Sequence, residues 1–173
     1  MASQADPTDT PLNGAPDGAP QVNALAQYIK DLSVENPSAP QVFQWSATPQ
    51  LDVQFNLNVS RVSDEIHEVI LRIELTATSD QGPHFLVDLS YAGLFAMINI
   101  PEDSFAPFLL VEAPRLLFPF ARQIVADAVQ NLGFPPVLLD PIDFGAAYMQ
   151  QLEAAQGDNP DAPLADVEPV GNP

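Results

Sequence analysis

Three runs of this sequence alternate apolar and polar residues with a period of two. They are LDVQFNLNVS at 51–60, HEVILRIELTAT at 67–78 and HFLVDLSYAG at 84–93. Because successive side chains of a β-strand point to opposite faces of a sheet, each run predicts a strand with one apolar and one polar face. The turn sequence SDQGP at 79–83 joins the last two runs as a hairpin. With AQYIKDLSVEN at 26–36 as a further strand, the pattern predicts a meander of four antiparallel strands.

Helical segments follow the strands and can cover the apolar face of the sheet. PEDSFAPFLLVEA at 101–113 predicts a short helix, and PRLLFPFARQIVADAVQNLGFPP at 114–136 predicts a long one. Pro114 is tolerated in the first turn of the long helix, and Gly133 with the two prolines after it ends that helix. A last helix covers 143–156, with Asp143 as its cap. The predicted fold is α+β, a four-stranded antiparallel sheet with helices packed on one face.

The apolar surface of the long helix is wider than its own sheet requires. Its apolar residues, with Leu116 and Phe120 at the margin, cover an arc of about 220° at about 100° per residue. A stripe of about 100° is enough for a helix that lies on one sheet. We therefore expect the remaining surface to contact another helix or another subunit, and we favour self-association. A charge at Val125 would test whether that flank lies between subunits.

Both ends of the chain lack a core-forming pattern. Residues 1–21 and 156–173 are rich in Pro, Gly, Asp and Asn and contain no aromatic residue. Such segments bury too little apolar surface to offset their chain entropy, so we expect both to be disordered. The folded domain is then expected at 22–155.

The charge balance limits the class of partner. With 23 acidic and 5 basic residues the formal net charge is −18, which opposes binding to nucleic acid or to anionic membranes. It favours basic partners, or it keeps the protein soluble. The N-terminus lacks the pattern of a secretory signal, and we expect no stretch that approaches the length of a membrane span. These features predict a cytoplasmic protein.

The sequence offers little that resembles a catalytic centre. There is no cysteine, and His67 and His84 have no metal-binding spacing, so we expect no metal site and place both histidines on the surface. Neither a Gly-rich phosphate loop nor a G-x-S-x-G elbow is present. We expect a protein that is not an enzyme and that needs no cofactor, although paired carboxylates leave acid hydrolysis open.

Two surface patterns remain. The polar face of the third run carries Leu86 and Asp88, and Asp31, Ser33 and Glu35 alternate on the first strand. If both strands expose the same side of the sheet, Leu86 lies in an acidic patch suited to a basic, partly apolar partner. The second pattern is aromatic, and its members either line a groove or fill the core: they are Phe43, Trp45, Phe144 and Tyr148.

Several segments, in their order along the chain, resemble SecB, the export chaperone family of proteobacteria. They are YIKDLSVENPSAPQVFQW, EVILRIELTAT, YAGLFAMINIP and RLLFPFARQIVADAVQNLGFPPVLLDPIDFGAAYM, within residues 22–155. The resemblance implies a SecB-like fold that assembles as a homotetramer, a dimer of dimers. It also implies a chaperone that holds unfolded secretory precursor proteins without ATP and delivers them to the motor SecA.

The resemblance also implies two binding surfaces. Carried over from the family, the SecA-binding residues are Asp31, Glu35, Leu86 and Asp88, and Asp88 stands where the family usually has glutamate. The acidic C-terminal tail is a further candidate contact with SecA, whose zinc would belong to SecA. The client-binding groove is implied at Phe43, Trp45, Val53, Phe55, Phe144 and Tyr148. A SecB-like chaperone dedicated to one client, such as a toxin–antitoxin partner, is the alternative.

Overall fold

The structure, a computed structural model, describes residues 18–158 and contains a four-stranded antiparallel sheet. Its strands, in the spatial order β1-β4-β3-β2, are β1 (Gln21–Glu35), β2 (Gln50–Arg61), β3 (Ile66–Ser79) and β4 (Gly82–Ile98). The predicted meander is correct for β2, β3 and β4, but β1 pairs with β4 and not with β2. The Pro-rich segment 36–49 therefore crosses from one edge of the sheet to the other.

The predicted alternation on the two central strands is confirmed. Side chains of β3 and β4 that point toward the helices are at most 8% exposed, and they include Val69, Leu71, Ile73, Leu75, Ala77, Phe85, Val87, Leu89 and Tyr91. Ser79 and Gly82 pair at the predicted hairpin, where Gly82 adopts a φ of 133° that favours glycine. The apolar face of the sheet thus forms the core, and the helices cover it.

The surface positions expected for both histidines are wrong. His67 is 8% exposed and His84 is 4% exposed. The ring of His67 packs edge-on against Phe105, with ring centroids 5.4 Å apart. His84 lies beside the register shift after Ala77 and is covered by Trp45 from the crossover segment, at a centroid distance of 5.1 Å. Long-range contacts, which periodicity does not reveal, cover both side chains.

The predicted helices are present, and the first two are continuous. Short turns form α1 (Phe105–Pro107) and a π-helical turn (Phe108–Glu112), which lead into α2 (Ala113–Asn131). Pro114 lies in the first turn of α2, and Gly133, with φ of 91°, follows its end. The last helix is α3 (Phe144–Asp158), and its Ala146 N–H donates to Asp143 Oδ1 at 2.9 Å, as expected for the cap.

The helical segment Glu102–Asn131 is long and apolar enough to cross a membrane by length and composition alone. This corrects the expectation that no stretch approaches such a span. Of the most apolar window of this segment, 33% is buried inside the subunit, and α2 packs on β3 and β4 through buried side chains. These are Ala113, Pro114, Leu117, Phe118, Ala121, Val125, Ala126, Ala128 and Val129.

The overwide face of α2 divides into a buried part and an exposed part. Val125 is fully buried in the core, so it does not report on subunit contacts. Leu116 and Phe120 are 49% and 53% exposed, and the Phe120 ring stacks beside Tyr91 of β4. The neighbouring edge strand β1 also carries exposed apolar side chains, among them Val22, Ile29, Leu32 and Val34. A single subunit therefore leaves a broad apolar surface uncovered on its β1 side.

Most of the two terminal segments that are expected to be disordered, 1–21 and 156–173, lies outside the described residues. The chain that the structure does describe extends from before β1 to the end of α3.

Candidate functional sites

The outer face of the sheet brings together all four predicted SecA-binding residues. In the β1–β4 register Glu35 lies opposite Leu86, and Ser33 lies opposite Asp88. Asp31 pairs with Ser90, one step further along the same face. Opposite residues of an antiparallel pair have Cβ atoms about 5 Å apart. Asp31, Glu35, Leu86 and Asp88 therefore form one continuous surface, which we call the docking patch.

Arg72 of β3 reaches into the docking patch and binds Asp88. Its Nε donates to Asp88 Oδ1 at 3.0 Å, and its Nη2 donates to Asp88 Oδ2 at 2.6 Å. The same Nη2 also donates to Glu74 Oε1 at 2.9 Å. This paired geometry lowers the pKa of Asp88 and raises the pKa of Arg72. Arg72 was not among the predicted site residues, although the period-two alternation of β3 places it on the outer face.

A second polar cluster lies on the outer face around Glu68 of β3. Lys30 and Tyr28, both on β1, donate to the two carboxylate oxygens of Glu68, Lys30 at 2.7 Å. Ser60 of β2 donates more weakly, at 3.4 Å. The hydrogen bonds from Lys30 and Tyr28 lower the pKa of Glu68, while the bond to Glu68 and burial raise the pKa of Tyr28. The cluster joins three strands across the sheet and has a structural role.

On the helix side, three of the predicted groove residues line one cavity. Phe55 of β2 and both Phe144 and Tyr148 of α3 border a space of about 250 Å³ between the edge strand and the last helix. The remaining wall is mostly apolar and consists of Asn56, Leu57, Val59, Leu71, Leu110, Ile142, Ala147 and Gln151. Leu57 alternates with Phe55 and could have been predicted. Leu110, in the π-helical turn, gives no comparable signal in the sequence.

The apolar face of β2 extends this cavity into a groove. Val53 lies two residues from Phe55 on the same face and is half-buried, while Leu51 and Phe55 are 49% and 41% exposed. β2 is an edge strand, so α2 and α3 cover this face only partly. An apolar strip therefore runs along the free edge of the sheet, and we call it the β2 groove.

Phe43 and Trp45 do not line the same cavity. They belong to an aromatic cluster near the β3–β4 hairpin, where Phe43 packs on Phe134 at 5.6 Å and Trp45 packs on His84. Since Gln50 pairs with Thr78, this cluster lies at the hairpin end of β2. Phe43 remains 55% exposed. The structure thus places the six predicted groove residues in two groups at different positions along β2.

Among residues 18–158 no group of three or more His, Cys, Asp or Glu side chains is placed to hold a metal ion. The groove offers apolar area and the docking patch offers charge. Both are suited to binding other polypeptides through extended surfaces.

A sequence profile of the SecB family, described as preprotein translocase subunit SecB, matches residues 15–155. The chain belongs to the SecB family. Its SecB relatives include the protein-export protein SecB of Sphingopyxis alaskensis, 49% identical over 96% of this chain and 98% of that one. The protein-export protein SecB of Zymomonas mobilis is 50% identical over 92% and 93% of the two chains.

A solved structure supports the SecB-like fold. It is the SecB-like chaperone of Mycobacterium tuberculosis in complex with a ChAD peptide from an antitoxin. It aligns with a TM-score of 0.57 at 18% identity, and covers 71% of this chain and 90% of its own. At that identity the likeness concerns the fold alone.

Proposed function

We propose that this protein is an ATP-independent chaperone that holds unfolded secretory precursors and delivers them to SecA. Membership of the SecB family supports a role as a protein-export chaperone. The observation that carries the proposal for this chain is the β2 groove, an apolar surface along a sheet edge that remains open in the subunit. Groove residues bind extended chain through apolar contacts and backbone hydrogen bonds, with little sequence preference. No step requires a catalytic group or a cofactor.

Client holding is tested by diluting an unfolded precursor into the protein without ATP and following aggregation by light scattering. Tyr148→Ala removes an aromatic ring from the cavity wall, and we expect several-fold weaker protection because about 1–2 kcal/mol of apolar contact is lost. Met149→Ala is the matched control, since Met149 is the next residue of α3, is 55% exposed and does not border the cavity. If the two variants protect the precursor from aggregation equally well, the cavity is not part of the client-binding site.

SecA is proposed to bind at the docking patch through charge and one apolar contact. Leu86→Gln or Asp31→Ala should weaken SecA binding while the subunit assembly stays intact. Because the contact is mainly electrostatic, added salt should weaken SecA binding more than client holding. Unchanged SecA affinity of both variants would exclude these residues from the site. The acidic C-terminal tail is proposed as a second contact.

The active form is proposed to be a cytoplasmic homotetramer, a dimer of dimers, without direct membrane insertion. The apolar residues exposed on the β1 side of the subunit, with Leu116 and Phe120 of α2, support this assembly. A patch of this kind marks an interface more often than free surface.

A chaperone dedicated to one client, such as a toxin–antitoxin partner, is the second candidate. The mycobacterial SecB-like chaperone was solved with an antitoxin peptide, but its likeness to this chain concerns the fold alone. The docking patch favours a general export chaperone, because a dedicated chaperone need not keep a SecA contact. Protection of several unrelated unfolded precursors would exclude the dedicated role.

A further inference from the structure

Arg72 is the basic residue that contacts the docking patch directly. Its side chain is 44% exposed, and it holds both carboxylate oxygens of Asp88, whose own side chain is 35% exposed. Within residues 18–158, Asp31 and Glu35 take part in no ion pair. Asp88 is therefore bonded to a cation inside the subunit, whereas Asp31 is attracted to Arg72 without a direct ion pair, and Glu35 has no ion-pair partner among these residues.

Two physical effects of Arg72 on a basic partner oppose each other. Arg72 offsets the repulsion between Glu74 and Asp88, which lie directly opposite in the β3–β4 register, and it fixes the Asp88 carboxylate. If the partner used that fixed carboxylate, loss of Arg72 would weaken binding. Arg72 also places a positive charge where a basic partner must approach, and then loss of Arg72 would strengthen binding.

The geometry favours the second effect. Arg72 Nε and Nη2 donate to the two carboxylate oxygens of Asp88 at 3.0 Å and 2.6 Å, and such a paired arrangement is among the strong hydrogen bonds to a carboxylate. A partner cation that approaches Asp88 must displace a guanidinium that is already bound to it within the subunit. Asp31 and Glu35 carry no such competitor among the described residues.

We propose that Arg72 is an internal competitor for the cationic partner, which limits the affinity of the docking patch and directs recognition to Asp31 and Glu35. This rests on the proposed SecA-binding function of the patch. Asp88, in this account, contributes to docking only when Arg72 is displaced. The Arg72–Asp88 pair thereby keeps the complex weak enough to dissociate after client transfer.

The test measures the affinity of the cognate SecA, from the same organism as this chain, for the full chain by calorimetry at low and high ionic strength. Arg72→Gln should bind about threefold to fivefold more tightly at low salt, the range set by removal of one exposed charge. Arg115→Gln is the matched control, because it makes the same change in net charge on α2, where Arg115 pairs with Glu112. Arg72→Lys keeps the charge but cannot form the paired hydrogen bonds, so its affinity should lie between that of Arg72→Gln and that of the unchanged protein.

A double variant provides a second test of the competitor role if Arg72→Gln folds poorly. Arg72→Gln with Asp88→Asn removes both members of a neutral pair, and it should bind SecA as tightly as the unchanged protein. Affinity of Arg72→Gln that equals that of Arg115→Gln, or falls below it, would overturn the competitor role, as would a weaker double variant. Absence of SecA binding by the unchanged protein would instead refute the docking patch itself.

Discussion

Gly93→Ala should destabilise the subunit, because α2 packs against β4 at this residue without room for a side chain. A Cβ built at Gly93 would lie 2.7 Å from Phe95 Cε2 and 2.8 Å from Leu117 Cδ2. Ordinary contacts begin at about 3.4 Å, so both neighbours would have to move. Phe95 and Leu117 are both fully buried, so neither side chain borders solvent.

The expected decrease in the free energy of unfolding is the difference between two opposing effects. Overpacking of a closed core costs about 1–3 kcal/mol. Replacement of glycine by alanine also stabilises the folded protein by about 0.4–1 kcal/mol, because it lowers the conformational entropy of the unfolded chain. The free energy of unfolding should therefore decrease by about 1–2 kcal/mol, a substantial share of the stability of a small domain.

Urea unfolding at a fixed protomer concentration measures this change, since assembly makes stability depend on concentration. Gly145→Ala is the matched control, because Gly145 lies at the start of α3 and the nearest atom to its added Cβ is Asp143 Oδ1 at 3.3 Å. It should not be destabilised by more than a few tenths of a kcal/mol, since helix propensity favours alanine there. A Gly93→Ala variant as stable as the unchanged protein would refute the packing of α2 on β4 described above.

Two further predictions concern assembly and pH. Phe120→Asp should raise the dissociation constant of the assembly at least tenfold, because it loses about 1 kcal/mol of apolar burial and buries a charge. Leu138→Asp should not, since Leu138 lies outside α2 and is 63% exposed, against 53% for Phe120. Sedimentation measures both variants, and Val125→Asp should instead unfold the subunit. Because Lys30 and Tyr28 lower the pKa of Glu68, its contribution to stability is fully present above about pH 4.5 and is lost as pH falls through the lower folded-state pKa. Glu68→Gln should reduce the fall of the urea unfolding midpoint as the pH decreases. An equally large fall in the variant would contradict the role given to Glu68.

The strands were predictable because their alternation depends on one physical rule. β3 is buried on one face from Val69 to Ala77, and a period of two in the sequence is enough to show it. β1 was harder to predict, since register shifts after Ala24 and Ile29 interrupt its period. Its place beside β4 depends on the crossover of 36–49, which no local pattern specifies.

The docking patch was predictable, but its internal pairing was not. Period-two spacing put Asp31 and Glu35 on one face and Leu86 and Asp88 on another, and the register joined the two faces. Which acid binds Arg72 depends on side-chain reach across β3 and β4, and spacing along one strand carries no information about it. The shorter side chain of Asp88 is consistent with a close pair on the sheet surface.

The predicted groove is a single set of five aromatic residues and Val53, and the structure divides this set into two groups. Phe144 and Tyr148 share a helix face, so their common cavity with Phe55 follows from helix geometry and the placement of α3 on β2. Phe43 and Trp45 pack at the hairpin end of β2 because the crossover segment ends there. Burial of His84 has the same origin, since the ring that covers it arrives from a distant part of the chain.

Native mass spectrometry tests the central claim most directly. The purified protein is measured alone, after dilution of an unfolded precursor into it, and after addition of the same precursor already folded. The account predicts a tetramer that retains the unfolded chain and does not retain the folded one. A monomer that ignores the unfolded chain would contradict it, because the open β2 groove and the uncovered surface of α2 would then have neither a client nor a partner subunit.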